Sequence, residues 1–218
     1  MKKLSLLLLI SVLLFSMCSC SLWYDHENNA IGCFDVGYAE FTKDAFVASY
    51  NWDGSNEGMN IVVPEVYNDI KISGMGGYFG RGVPTPFIIH FSDEARAKFC
   101  PSATGWFYAS HTANIENANV QYLPFQLHIS KNIKEAVNLC MGGIIVAERV
   151  ENEEEICKVY VLTCYVTCDE ENKTFYSEDG KLYYRKNNVL VEDIVYYDFD
   201  LEEHNKNNKD NYAVYSYC

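Results

Sequence analysis

The segment that most constrains the fold of this chain is residues 156–168, which form the longest strand pattern in the sequence. Side chains alternate onto its two faces, with Val159, Val161 and Thr163 on one and Tyr160, Leu162 and Val166 on the other. Successive side chains of a strand point to opposite faces of its sheet. Because both faces here carry apolar residues, we expect a central strand that is covered on both sides.

Shorter strand patterns and turns make up most of the remaining chain. The strand patterns cover residues 31–50, 61–64, 70–73, 87–91, 120–129 with an interruption at Pro124, 144–150, 174–176, 181–185, 189–191 and 194–199. Turns are predicted at Asn68-Asp69, Asp179-Gly180 and Asn187-Asn188, a short helix after Ser92, and a loose polar segment over residues 201–211. The sequence therefore predicts a mainly β fold with few short helices, either an antiparallel or mixed sheet or a short irregular solenoid-like β domain.

The N-terminal segment has the layout of a secretory signal peptide. Lys2 and Lys3 precede an apolar run over residues 4–15, and the small Ser19 stands directly before Cys20. This layout resembles a bacterial lipoprotein signal, which implies that Cys20 is lipidated before cleavage; ordinary secretion with cleavage nearby is the alternative. The expected segments are a signal peptide over residues 1–19, a lipid-anchored tether over residues 20–30 and a single mainly β extracytoplasmic domain over residues 31–218.

The charge balance limits the partners of the chain. The formal net charge is −13, and removal of the predicted signal peptide takes away Lys2 and Lys3 but no acidic residue. An acidic protein repels the phosphates of nucleic acids, so no nucleic-acid partner is expected. Charge does not hold such a protein on an anionic membrane either. The membrane contact is therefore expected to come from the N-terminal lipid, and firm anchoring requires more than one acyl chain.

The cysteines do not fit a complete disulfide framework. Seven follow Cys20, namely Cys33, Cys100, Cys140, Cys157, Cys164, Cys168 and Cys218. Export favours disulfides, but an odd number leaves at least one thiol unpaired, and small buried apolar residues are the alternative role for most of them. Cys164 and Cys168 would lie about 13 Å apart along one straight strand. A disulfide needs Cα atoms within roughly 7 Å, so these two are not expected to pair.

Motifs of known catalytic and cofactor sites are not found in the sequence. The histidines are His26, His90, His111, His128 and His204, and they form no His-Glu-x-x-His pattern. There is no Gly-x-Ser-x-Gly or Cys-x-x-Cys motif. The glycine-rich residues 74–82 lack the features of a dinucleotide or P-loop fingerprint, which favours an irregular loop. We therefore predict no catalytic residue, no cofactor and no metal.

Several weaker signals leave an alternative open. Cys100 or Cys140 could form a thiol dyad with a histidine, and His90 and His128 lie in predicted strands that could meet. Acidic residues at 151–155 and 198–203 could hold calcium, but neither stretch has the EF-hand order, so solvated turns are favoured. An envelope hydrolase with an unidentified cysteine- or carboxylate-based site is therefore the alternative function. Asn172-Lys173-Thr174 fits a glycosylation sequon, an inference that lapses in a bacterium.

The seventeen tyrosines indicate a binding function. We predict a ligand surface from two late pairs, Tyr183 with Tyr184 and Tyr196 with Tyr197. Tyrosine is enriched where surfaces bind proteins or other ligands, although it also suits an exposed sheet face. The predicted function is a binding or interaction role at the cell envelope, with a protein or carbohydrate ligand, and this function is favoured over an enzymatic one.

Three stretches resemble BspA-type leucine-rich repeats of bacterial surface proteins, which couple a strand ending in Ile-Pro to a Tyr-Asn-Gly turn and a Val-x-x-Ile-Gly step. The stretches are residues 61–76, residues 127–134, and residues 175–183 with 189–191. In the first, Asp69 replaces the glycine and Met75 the isoleucine. Strand-like pieces start at Ile61, Ile88 and Leu127, which is not the constant period of a solenoid. The resemblance implies a surface-exposed, non-enzymatic role.

Overall fold

The computed structural model describes most of the chain after residue 29. The described residues are 30–39, 44–79, 83–85, 87–103, 105–109, 119–136, 139–140, 144–151, 154–192, 194–209 and 215–217. The predicted signal peptide, Cys20 and residues 21–29 of the predicted tether lie outside the described residues, as do His26, His111 and residues 80–82 of the glycine-rich segment.

Strands predominate in the described structure, which confirms the predicted mainly β fold with mixed and antiparallel sheets. The strands are β1 (Ala30–Ile31), β2 (Phe34–Ala39), β3 (Asp44–Trp52), β4 (Asn60–Val62), β5 (Val66–Tyr67), β6 (Ile70–Met75), β7 (Gly77–Phe79), β8 (Val83–Thr85), β9 (Phe87–Phe91), β10 (Gly105–Ala109), β11 (Asn119–Ile129), β12 (Glu135–Ala136), β13 (Leu139–Cys140), β14 (Ile144–Glu151), β15 (Glu154–Cys168), β16 (Phe175–Glu178), β17 (Lys181–Tyr184), β18 (Val189–Leu190) and β19 (Tyr215–Tyr217). Among the described residues, the helical elements are a 3-10 helix (Glu57–Met59) and two short α-helices, α1 (Asp93–Phe99) and α2 (Leu201–Asn207).

The first sheet is organised around β3. On one edge β3 pairs antiparallel with β2, and β1 pairs antiparallel with β2 in turn. On the other edge β3 pairs in parallel with β6 along its first half and with β9 along its second half. The β7–β8 hairpin is inserted between β6 and β9, and β12 and β13 run parallel beside them. The sheet is therefore mixed, and β6 and β9 together cover the length of β3.

The second sheet has β15 as its central strand, as the alternating pattern at 156–168 predicts. The strand order is β19-β10-β14-β15-β11-β4. The first half of β15 pairs antiparallel with β14, and β11 runs parallel along the other edge. Beyond the end of β14, the backbone of Cys164 hydrogen-bonds to Val195 and Tyr197, and that of Val166 to Gly180. Both edges of β15 are therefore paired over most of its length.

Strands β16, β17 and β18 form a third, antiparallel sheet beside the second half of β15. The Asp179-Gly180 turn joins β16 to β17, and its two residues have φ angles of +48° and +73°. Two positive φ angles are the signature of a type I′ hairpin turn. The Asn68-Asp69 turn between β5 and β6 has the same signature, with φ angles of +47° and +64°. Both predicted turns are therefore confirmed.

The two large sheets share one hydrophobic core. Trp52, at the end of β3, is fully buried, and its ring centroid lies 5.0 Å from those of Phe91 and Phe99 and 5.3 Å from that of Phe125. Its indole N–H donates to the carbonyl oxygen of Ser55 at 2.8 Å, as a buried indole requires. These contacts join the first sheet, α1 and β11, a strand of the second sheet.

A smaller core covers the outer face of the first half of β15. It consists of Ile144, Val146, Val159, Val161 and Val195, with Val120, Phe199 and Leu201 packed against it. The prediction of a loose segment over residues 201–211 is wrong for its first part, because residues 201–207 form α2. The Asp200 carboxylate accepts hydrogen bonds from the backbone N–H groups of Glu202 and Glu203 at 2.9 and 3.0 Å, which caps the helix. Leu201 supplies the apolar contact that attaches it.

Pro124 does not interrupt its strand, and that prediction is wrong. β11 continues through Pro124 and pairs with β15 from residue 119 to residue 129. The backbone of His128 faces β4, since its carbonyl oxygen accepts from Val63 at 3.0 Å. Alternate residues of a strand direct their backbone groups to the same edge, so the nitrogen of Pro124 also faces that edge. β4 pairs only with residues 126–128, and the missing N–H of Pro124 therefore costs no ladder bond.

Two of the repeat-like stretches lie side by side in the structure. Ile61 on β4 is the register partner of Leu127 on β11, and the strands are parallel. Farther along the same stretches, Gly74 on β6 is the register partner of Glu135 on β12, again in parallel. Ile88 belongs to the first sheet, where it pairs with β3. The irregular spacing in the sequence therefore arises because β9 is not a member of this stacked pair.

Candidate functional site

A shallow depression of about 290 Å³ lies on the outer face of the second sheet, at the carboxyl ends of β4 and β11. Its lining residues are Asn60, Ile61, Val62, Gln126, Leu127, His128, Tyr165 and Thr167. The volume is near the lower end of the range for small-molecule sites. We refer to it as the β4–β11–β15 depression.

Strand alternation and parallel register build this depression. Along β11, Leu123, Phe125, Leu127 and Ile129 are buried in the shared core, so Gln126 and His128 point outward. Gln126 is the register partner of Asn60 on one side and of Tyr165 on the other. His128 is likewise the partner of Val62 and Thr167. Two rows of side chains therefore cross the three strands.

The polar side chains of the depression are carboxamides, hydroxyls and an imidazole. His128 Nδ1 lies 3.0 Å from the Thr167 hydroxyl oxygen, and the two carboxamides of Asn60 and Gln126 stand on adjacent strands. The lining contains no aspartate, glutamate, lysine or arginine among the described residues. In a chain of 30 acidic residues, this makes the depression an uncharged part of the surface.

Two tyrosines form an aromatic ledge beside the depression. The ring centroids of Tyr165 and Tyr197 are 5.1 Å apart, and the residues are 42% and 47% exposed. Gly180 lies directly against both rings, because a Cβ atom at this position would come within 2.5 Å of Tyr165 and 2.8 Å of Tyr197. The type I′ turn therefore positions the ledge. We refer to Tyr165 and Tyr197 as the tyrosine ledge.

An ion pair borders the tyrosine ledge. The Lys181 ammonium lies 2.6 Å from an Asp198 carboxylate oxygen. The hydrogen bond to Asp198 raises the pKa of Lys181, with a smaller contribution from the nearby Tyr183 and Tyr197. Because the two charges neutralise each other, this ion pair adds no net charge beside the ledge.

The four predicted surface tyrosines have different locations. Tyr196 is buried, and its hydroxyl donates to the carbonyl oxygen of Val191 at 2.8 Å; burial raises its pKa. Tyr184 packs against the buried Phe175 at 5.1 Å, and Tyr183 stacks on Tyr176 at 5.3 Å. Tyr197 belongs to the tyrosine ledge.

Sequence reasoning missed the remaining residues of the candidate site. These are Asn60, Gln126, Tyr165 and Thr167, whereas His128 was named only as a histidine that could meet His90. Two local signals were present in the sequence: polar residues alternate with apolar ones at 126–129, and Tyr165 stands between Cys164 and Val166, both of which are buried. The resemblance between the stretches at Ile61 and Leu127 is a sequence signal for the pairing of β4 with β11, but the sequence contains none that places β15 beside β11 in this register.

Cys33, Cys100, Cys164 and Cys168, whose side chains the structure describes, carry free thiols. Cys33 is exposed, Cys100 and Cys164 are buried, and Cys168 is partly buried, so Cys164 and Cys168 do not pair, as predicted. Burial raises the pKa of Cys164 to about 12 and that of Cys168 to about 11. A thiolate is the reactive form, so these two positions do not favour a nucleophile. The Cys140 side chain lies outside the described structure.

We expect alkylation to distinguish these thiols. At pH 8, iodoacetamide should label Cys33 at least about 100 times faster than Cys164, because Cys164 is both buried and held as the neutral thiol. Peptide-resolved mass spectrometry over a time course measures both rates in one sample. In denaturant the two rates should converge, and equal rates in the folded protein would contradict the description of Cys164.

The opposite sheet carries a polar cluster around Asp35. Ser49 donates a hydrogen bond to an Asp35 carboxylate oxygen, and Asn51 Nδ2 donates to the same oxygen at 3.1 Å. Burial lowers the pKa of the neighbouring His90, although Asp35 opposes this effect. In a nucleophilic triad the serine proton goes to the histidine, whereas here it goes to the carboxylate. His90 and His128 lie on different sheets with different neighbours.

Within the described ranges, no group of three or more His, Cys, Asp or Glu side chains is arranged to hold a metal ion. No helix in the part of the chain that the structure describes is long and apolar enough to cross a membrane.

Comparisons of the chain with protein-family models, with curated proteins and with solved structures found no match.

Proposed function

We propose that this chain is a lipid-anchored protein on the extracytoplasmic face of a bacterial cell membrane, where it binds a ligand through the β4–β11–β15 depression and the tyrosine ledge. The observation that carries the binding role is the exposed ledge beside an uncharged polar depression. The depression and Tyr165 of the ledge are built on strands whose inner side chains are packed in the core, and a site on rigid strands is held in a defined geometry.

The composition of the depression favours binding over hydrolysis. A hydrolytic site needs a nucleophile or general base within hydrogen-bond reach of a group that orients it. In the depression His128 contacts the Thr167 hydroxyl, but the lining residues that the structure describes include no carboxylate to orient the imidazole. The depression is also shallow, whereas catalysis favours a site that excludes water.

The resemblance to BspA-type surface proteins belongs to the same proposal. The parallel, in-register pairing of the stretches around Ile61 and Leu127 supports it, because stacked repeats pair equivalent strands in this way. A surface location agrees with the N-terminal segment, in which Cys20 would carry the lipid and residues 20–30 would lift the domain from the bilayer.

Lipid anchoring is tested by substitution of Cys20. In cells grown with labelled palmitate, the Cys20→Ala variant should lose all label and leave the membrane fraction, because no other residue would carry an acyl chain and the acidic domain has no affinity for an anionic surface. Cys18→Ala is the matched control and should retain the label. Unchanged labelling of the Cys20→Ala variant would refute the proposed anchor.

The binding role is tested with the soluble domain, residues 21–218. The domain is passed over immobilised peptidoglycan, cellulose, mannan, mucin, collagen and fibronectin. At least one polymer should retain the domain, and the double variant Tyr165→Ala/Tyr197→Ala should lose this retention because both exposed rings of the ledge are removed. Retention by none of these polymers, or equal retention of both proteins, argues against binding through this surface.

A further inference from the structure

We propose that the ligand is an uncharged saccharide chain, with one sugar ring in the β4–β11–β15 depression and the next on the tyrosine ledge. This inference rests on the proposed binding function and names its ligand class.

The hydrogen-bonding groups of the depression match sugar hydroxyls. Asn60 and Gln126 each present a carboxamide, which has both donors and an acceptor, while His128 and Thr167 add an imidazole and a hydroxyl. A hydroxyl also donates and accepts, so each pair of neighbouring hydroxyls on a sugar ring can satisfy one carboxamide. The two carboxamides stand side by side because Gln126 is the register partner of Asn60.

The absence of charge in the lining selects against ionic ligands. Among the described lining residues, no lysine or arginine would compensate a bound phosphate or uronate for its lost water, and no aspartate or glutamate would compensate an ammonium terminus. The net charge of −13 additionally repels polyanions. Lys181, the cation beside the ledge, is already paired with Asp198 at 2.6 Å. An uncharged ligand has a smaller free-energy cost of transfer from water into the depression.

The tyrosine ledge provides a face for the second ring. Sugar rings have an apolar face of C–H groups, and an aromatic ring is a hydrophobic surface of similar size. Tyr165 belongs to both features, since it lines the depression and contacts Tyr197 at 5.1 Å between centroids. A chain of sugars that leaves the depression over Tyr165 therefore reaches Tyr197 next.

The edges of the sheet disfavour an extended peptide. A peptide that adds a strand needs a row of free backbone groups. β4 has three residues, and Pro64 lies two positions beyond its end. The edge of β11 beyond β4 contains Pro124, which has no N–H to offer. Both accessible edges near the site are therefore poor templates for a peptide strand.

The proposal is tested by isothermal titration calorimetry of the soluble domain with cellohexaose, mannohexaose, xylohexaose and hexa-N-acetylchitohexaose, all uncharged. Hexagalacturonate is the anionic probe and a threonine–valine octapeptide is the peptide probe. At least one uncharged oligosaccharide should bind. Tyr165→Ala should weaken that binding about tenfold and Gln126→Ala about fivefold, as expected for one lost stacking contact and one lost hydrogen-bonding group.

Tyr122→Ala is the matched control for Tyr165→Ala. Tyr122 is 45% exposed on the same strand as Gln126 but does not line the depression, so its variant should bind within about twofold of the wild type. Unfolding midpoints equal to that of the wild type show that each variant is folded. Sugar binding that survives both Tyr165→Ala and Gln126→Ala overturns the assigned site.

Other outcomes separate the ligand class from the binding function. Ledge-dependent retention on collagen or fibronectin, or binding of the octapeptide, without binding of any uncharged oligosaccharide overturns the saccharide class but leaves the binding function. Tighter binding of hexagalacturonate than of the uncharged oligosaccharides also overturns the saccharide class as stated. Binding to none of the polymers or probes overturns both proposals.

Discussion

Asn172→Asp is expected to lower the free energy of unfolding by about 3–5 kcal/mol, because it removes the donor of two buried hydrogen bonds and sets a carboxylate oxygen against two carbonyl oxygens. Asn172 is 1% exposed, and its side-chain nitrogen donates to the carbonyl oxygens of Ser130 and Ile133 at 2.9 and 3.0 Å. Its side-chain oxygen accepts from the backbone N–H groups of Thr174 and Phe175, both at 2.8 Å. A carboxylate keeps the shape and the acceptor but places a second oxygen against two carbonyls.

Chemical denaturation of the wild-type and variant domains measures this loss. Asn132→Asp is the matched control: Asn132 makes one bond with its side-chain nitrogen, to the carbonyl oxygen of Glu65 at 3.2 Å, in an exposed setting. Loss of this hydrogen bond should lower the free energy of unfolding by less than about 1 kcal/mol, since water replaces an exposed partner. Equal effects at the two positions would show that the Asn172 network contributes no more than a surface contact.

Gly180→Ala is expected to lower the free energy of unfolding by about 2–3 kcal/mol and to abolish ligand retention. Alanine at a φ of +73° is strained by about 1–2 kcal/mol. Its Cβ would also stand 2.5 Å from the Tyr165 ring and 2.8 Å from the Tyr197 ring, which is too close for either ring to keep its position. The substitution therefore disturbs the tyrosine ledge without changing a residue that contacts the ligand.

The Gly32→Ala variant separates the cost of the positive φ from the effect of the clash with the tyrosine rings. Gly32 also has a positive φ, +59°, but a Cβ there would meet nothing within 4 Å. Its variant should lose only the conformational part, about 1–2 kcal/mol, and keep full retention on the polymer that binds the wild type. Thermal unfolding and the retention assay check both variants. If Gly180→Ala retains full binding, the ledge is not held by the type I′ turn.

Local patterns in the sequence predicted the elements whose structure depends on near neighbours. The alternation at 156–168 predicts the central strand, since its period of two is a property of the strand itself. The Asp179-Gly180 and Asn68-Asp69 turns follow from the tolerance of these residues for positive φ. Ser92 caps α1 through a hydrogen bond from the Ala95 N–H at 3.3 Å, which needs only residues three positions apart.

Predictions that depended on distant partners were incomplete. Pro124 was expected to interrupt a strand, but whether a proline breaks a ladder depends on which edge its nitrogen faces. The polar segment after Asp200 was expected to be loose, but Leu201 packs on the small core of β14 and β15. In each case the deciding contact comes from a strand that is remote in the sequence.

In the candidate site, too, contacts between distant segments decide what local patterns leave open. Tyr196 and Tyr197 are adjacent in sequence, and neighbouring residues of an extended segment point in opposite directions, so Tyr196 is buried while Tyr197 is exposed. Tyr197 contacts Tyr165 instead, across the Asp179-Gly180 turn. Proximity along the chain is therefore a poor guide to which tyrosines share a surface.

The sequence by itself determined the β-rich class, the hairpin turns and the prediction of an exported, lipid-anchored chain, because period, turn chemistry and the N-terminal pattern are local properties. Only the tertiary structure decided which residues form the candidate site. Asn60, Gln126 and Tyr165 meet in one row because β4, β11 and β15 pair in one parallel register. A shift of one residue would turn these side chains into the core, so the packing of the apolar residues between them sets the site.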